Sequence, residues 1–243
     1  MAVSIGAADI SDLEEAKILA NEGKYEEALQ KHLQFYEESK NSPGMGGVRL
    51  SYALSEWFRL SQKYPPAKKA LIDTRDKNEK TLLDETGDFN NFHDLSSINN
   101  ILGEEDKTLQ LFLNIHKTQP KLAKFCFIIA KDLLVRKKEY QICGEYIPDP
   151  IYESENFRNF REMNLSMMKT DTKMNTVEMH QFTDKTFVGS IRQLVEILVG
   201  LGRMSEAEDI QKKALAYFDH EDIKSAITDA EKIIEKSAPE DGQ

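Results

Sequence analysis

Apolar and small residues recur at three- and four-residue spacing along most of this chain, with charged residues filling the positions between them. Between Ser11 and Ser39 the pattern is SDLEEAKILANEGKYEEALQKHLQFYEES, two amphipathic runs parted at Gly23. The spacing predicts a helix, a tight turn at Gly23 and a second helix opening at Tyr25. Ala16 and Ala28 are small residues mid-way along the two runs, where the helices must approach closely. A pair of this kind cannot bury its apolar face alone, so neighbours stacked on it are expected.

Further pairs follow. Gly46–Gln62 and a run from Pro65 or Pro66 to about Leu83 form the second, with Ala67 in the place of Ala28. Proline at a helix start costs nothing, because the N–H it lacks has no intrahelical partner there. The third is FNNFHDLSSINNILGEEDKTLQLFLNIHKTQP, with its turn at Gly103, a stripe through Phe112 and Ile115, and Pro120 as its end. The fourth is expected over Pro120–Arg136 and Lys138–Tyr146, around a turn (RKKEY) without glycine. A helix capped by Ser154 and ending near Lys169 is expected next, then a loop or short irregular helix over Thr170–Phe182. SIRQLVEILVGLGRMSEAEDIQKKALAYF supplies another pair, with Gly202 as turn and Ala207 as tight contact, and an acidic helix over about Glu221–Lys236 is expected to cap the end.

On these residues the chain resembles the tetratricopeptide-repeat superfamily, over about two-thirds of its length. The tight contacts Ala28, Ala67 and Thr108 stand 39 and 41 residues apart, against about 34 in a regular array. The resemblance is therefore to a divergent member with longer helices. The segment VRLSYALSEWFRLSQKYPPAKKAL is also similar to one found in uncharacterised bacterial proteins of this type, which carries no activity with it. The resemblance implies an all-α, right-handed superhelix of stacked antiparallel helix pairs. Residues 1–147 would hold the N-terminal pairs, and 148–243 a helical region continuous with them. It also implies a concave groove, lined by first helices, that binds peptides or partner helices.

Reading outward-facing positions by helical spacing places Lys17 and Asn21 in that groove from the first pair. The second contributes Arg49, Tyr52, Glu56 and Arg59. The third contributes Asn90, His93, Ser97 and Asn100, the fourth Lys124, Phe127, Lys131 and Leu134, and the last Arg192 and Glu196. Trp57 lies beside this row and is expected in the core. The lysine and asparagine with which some superfamily members grip a terminal carboxylate align with Leu13 and Lys17, so that clamp is absent from its usual repeat.

Charge sharpens the reading. The chain carries a formal −10, which argues against nucleic acid as a partner. Yet Lys121–Lys138 holds six basic residues (Lys121, Lys124, Lys131, Arg136, Lys137, Lys138) against Asp132 alone, whereas the segment from Asp219 to Gln243 has eight acids and three lysines. A basic stripe on an acidic body favours an acidic peptide or protein segment. It also leaves a homodimer open, the acidic terminal helix of one copy meeting the basic helix of another.

Other chemistry finds little support. The glycine-rich Ser42–Gly47 lacks the GK[ST] that would follow in a phosphate loop. His32, His93, His116, His180 and His220 are scattered without metal spacing, and Cys126 and Cys143 form no CxxC and read as small buried hydrophobes. Paired acids such as Glu26–Glu27 suit helix starts and not catalysis. The N-terminus has no secretory pattern, and the apolar runs near Phe125–Ala130 and Leu194–Leu201 are far shorter than the roughly 20 residues of a membrane span. The expectation is a cytoplasmic, non-enzymatic interaction module without cofactor or metal. Its alternative is an enzyme or ligand-responsive regulator that holds an anionic small molecule with Arg49, Arg59, His93 and Asn100.

Overall fold

A computed structural model describes residues 8–171 and 173–236, and among these every regular element is helical. The chain divides into two compact units, 1–130 and 131–243.

In the first unit, α1 (Ile10–Asn21) packs on α2 (Tyr25–Ser39). A composite helix follows, made of α3 (Met45–Val48), a π-helical turn (Arg49–Ala53) and α4 (Leu54–Ser61); α4 packs on α5 (Pro65–Leu83). Then come α6 (Phe89–Leu102), packed on both α5 and α7 (Glu105–Thr118), and α8 (Pro120–Arg136), within which the unit boundary falls. The first three expected helix pairs are thus present. The core gathers around Trp57, which is buried with Tyr36, Leu54, Leu71 and Ile98 and donates its indole N–H to the Ala67 carbonyl at 3.1 Å.

The second unit contains α9 (Tyr140–Tyr146), α10 (Pro150–Thr170), α11 (Val177–Gly200), α12 (Met204–Tyr217), α13 (Glu221–Lys224) and α14 (Ala226–Glu235). Its hub is α11, which touches the other five. At Gly200 a Cβ would overlap the Tyr140 ring, so α9 and α11 meet at a distance only glycine allows.

Three expectations need correction here. The helix expected from Ser154 begins at Pro150, where Asp149 accepts the Tyr152 N–H at 2.9 Å; Ser154 is buried within the helix and donates to the Ile151 carbonyl. Asp149 precedes a proline already suited to the first helical position, so cap and proline act together. The irregular stretch expected over Thr170–Phe182 is shorter: Thr176 caps α11 through the Met179 N–H, and Val177–Phe182 are helical. The terminal acidic helix is interrupted at Ser225, with α13 and α14 on either side.

Several of the inter-helix turns share one backbone design. After α1, the Lys24 N–H bonds the Leu19 carbonyl (2.9 Å) and the Gly23 N–H the Ala20 carbonyl (3.3 Å), closing a Schellman motif around a left-handed residue. The same two bonds recur around Gly103, Gly202 and, in the turn without glycine, Lys138, whose φ is 62°. Five residues beyond Gly23, Gly103, Lys138 and Gly202 sits a small side chain with no exposed surface (Ala28, Thr108, Cys143 and Ala207), whereas the left-handed Glu85, closed by the same two bonds, is followed at that spacing by the exposed Asn90. Among the described residues no helix is long and apolar enough to cross a membrane.

Candidate functional site

The residues read as a groove row are dispersed in role. Lys17 and Asn21 are exposed on α1, and Asn90 and Asn100 are exposed near the two ends of α6. Tyr52 is half-buried and donates its hydroxyl to Glu14 at 2.7 Å. Glu56 is buried and pairs with the outward-reaching Arg59 at 2.5 Å. His93 is half-buried against Phe89, its ring centroid 5.5 Å away; burial lowers its pKa.

Arg49 faces inward. Its guanidinium donates through Nη1 to Asp94 Oδ2 at 3.1 Å and pairs through Nη2 with Oδ1 at 3.0 Å, and the Tyr36 hydroxyl donates to the same carboxylate at 2.7 Å. Both charged side chains are almost fully buried, and Arg49 also lies over the Tyr36 ring, 5.5 Å from its centroid. Burial raises the Asp94 pKa despite the opposing Tyr36 bond and Arg49 charge, and it raises that of Tyr36 too. This cluster ties the π-turn to α2 and α6. It is a structural bolt, with Arg49 and His93 both beside Asp94 and neither presented as a free cation.

The accessible chemistry of the first unit lies on α8. Ala123, Cys126 and Ala130 face the interior, which turns Lys121, Lys124, Phe125 and Ile128 to solvent. Phe125 is 66% exposed and Ile128 71% exposed, the two largest such values among the exposed aromatic and aliphatic side chains of this unit. Neither lysine forms an ion pair among the described residues. Of the positions expected there, Lys124 belongs to this face, Phe127 is half-buried and Leu134 is fully buried. Sequence reading placed Cys126 in the core and Phe127 in the groove, and did not single out Phe125 and Ile128 as exposed. The available signal was the spacing of Ala123, Cys126 and Ala130, small residues at i, i+3 and i+7 that mark the packed side.

In the second unit Lys131 is half-buried over the Phe157 ring at 5.5 Å, Arg192 pairs with Asp229 at 3.3 Å, and Glu196 accepts the Tyr140 hydroxyl at 2.8 Å. Among the described residues no group of three or more His, Cys, Asp or Glu side chains is placed to hold a metal ion. Both cysteines are buried free thiols whose pKa burial pushes up to about 12. No family model, curated protein or solved structure matches this chain.

Proposed function

We propose that the protein is a non-enzymatic interaction module that binds an acidic, amphipathic segment of a partner protein along the exposed face of α8. The carrying observation is that face itself: two large apolar side chains held in solvent, flanked by Lys121 and Lys124, which have no counter-ion among the described residues. Covering an exposed Phe or Ile contributes about 2 kcal/mol each, and unpaired lysines select the charge of whatever covers them. Four left-handed turns, at Gly23, Gly103, Lys138 and Gly202, are each followed five residues on by a fully buried small residue, which supports a divergent tetratricopeptide-like superhelix as the scaffold. In such a scaffold α8 is the first helix of its pair, the kind that lines the groove.

The reading based on an anionic small molecule among Arg49, Arg59, His93 and Asn100 has less in its favour, since Arg49 is spent on Asp94 and Arg59 on Glu56.

Fluorescence anisotropy with a labelled acidic amphipathic helical peptide tests the proposal. Binding should be saturable, weaken as salt shortens the Debye length from about 10 Å at 0.1 M, and disappear in Lys124→Glu and Phe125→Asp. Equal binding by the wild type and both variants, with helical content unchanged, would sink it. A lysate pull-down with the same variants would then identify the natural partner.

A further inference from the structure

A second accessible feature lies wholly inside the second unit. Helices α10, α11 and α12 line an open-sided cavity of about 450 Å³, within the range usual for small-ligand sites. Phe187, Ile191 and Ala214 give it an apolar wall, while Arg158, Lys213 and Tyr217 bring polar groups to it.

Those polar groups are oriented by their neighbours. Arg161 donates through Nε and Nη2 to Asp184 Oδ1 at 3.0 and 2.7 Å, and its guanidinium lies 4.3 Å from the Phe218 ring centroid. From that fixed position its Nη1 donates to the Tyr217 hydroxyl at 3.1 Å. The phenol oxygen is therefore already an acceptor, and its own hydrogen has no acceptor among the described residues. It is available to a ligand. Arg158 stacks over the same ring at 5.0 Å and commits only Nε, to Glu162 at 2.9 Å, leaving its two terminal nitrogens uncommitted. Lys213 is exposed and forms no ion pair among the described residues.

The cavity thus presents donors from three side chains beside an apolar wall. Its lining charge is Arg158 and Lys213 against Glu155, a net of one positive charge. One excess positive charge matches a monoanion, and a dianionic phosphate would meet Glu155 unfavourably.

We propose that this cavity binds a carboxylate carried on an apolar or aromatic body, with the carboxylate on Arg158, Lys213 and the Tyr217 hydroxyl and the body against Phe187 and Ile191. The carboxylate could belong to a free organic acid or to the end of a peptide ending in an apolar residue.

The test is calorimetric titration of the full chain with 3-phenylpropionate, its neutral amide, phenyl phosphate and the peptide Ala-Ala-Phe. The acid should bind saturably at one site and the amide at least about tenfold more weakly, the scale of one charge-assisted hydrogen bond. Arg158→Gln and Lys213→Gln should each weaken the acid with unchanged circular dichroism, and Tyr217→Phe should weaken it several-fold. Tighter binding of the peptide than of the free acid would identify a chain terminus as the natural source, and the reverse a small acid; either upholds the proposal. Equal affinity for acid and amide, preference for phenyl phosphate, no saturable binding at millimolar concentration, or indifference to both charge-removing variants would overturn it.

Discussion

Asp94 shows how strongly one buried charge can constrain a helical unit. Its carboxylate accepts from Arg49 and Tyr36 through Oδ2 and pairs with Arg49 through Oδ1, so removing its charge leaves a buried guanidinium uncompensated. Asp94→Asn should cost about 3–5 kcal/mol in urea unfolding. A combined Tyr36→Phe, Arg49→Met, Asp94→Leu variant should recover most of that loss, because an apolar cluster of similar volume needs no charge compensation. A cost below about 1 kcal/mol for the single change would mean that the pair does not hold the elements together. His32 gives a pH signature. It is buried against Trp57 with Nδ1 unpartnered, and burial lowers its pKa to about 4. The unfolded chain takes up this proton near pH 6.5, the folded one only near 4, so the unfolded state binds more protons in between. Stability of this unit should therefore fall as pH drops from 6.5 to 4, by at most about 3 kcal/mol from this group. Trp57 fluorescence during urea melts at several pH values measures that slope, and His32→Phe should flatten it.

At the scale of elements, the helix pairs were legible wherever a periodic run ended at glycine, because such a turn needs a left-handed residue and little else. The fourth turn was harder to read, since Lys138 adopts that conformation without being glycine. A side chain there costs about 1 kcal/mol, while Lys138 Nζ recovers some of it by bonding the Ile233 carbonyl at 2.6 Å. Lys138→Gly should change the thermal midpoint little or raise it slightly, whereas Gly103→Lys, with no such acceptor identified, should lower it. The groove row failed for a different reason. Positions projected from Arg49 to Arg59 at 3.6 residues per turn cross the π-turn at 49–53, where the extra residue rotates the following face by about 100°. Arg49 and Glu56 are both buried, while Arg59 on the same projected row is exposed. Nothing in RLSYA announces a π-turn, so that part of the candidate site could not be read without the structure. The α8 face was half legible: its lysines stood out by charge, and its exposed apolar residues were hidden in a continuous hydrophobic run.

For the whole molecule, the two proposed surfaces belong to different units, which makes them separable by mutation. Lys124→Glu should abolish peptide binding and leave the carboxylate titration unchanged, and Arg158→Gln should do the reverse; loss of both activities in either variant would point to unfolding instead. The turn geometry also bears on the order in which the first unit assembles. Its hairpins close through bonds between residues five or fewer apart, whereas the Tyr36–Asp94 bond joins residues 58 apart. Local hairpins have little chain entropy to overcome, and the long closure must wait for them. The Asp94 cluster should then be a late event, formed after the rate-limiting barrier. Stopped-flow experiments on Asp94→Asn should find unfolding accelerated and folding nearly unchanged, which would make this single carboxylate the determinant of how long the first unit stays folded.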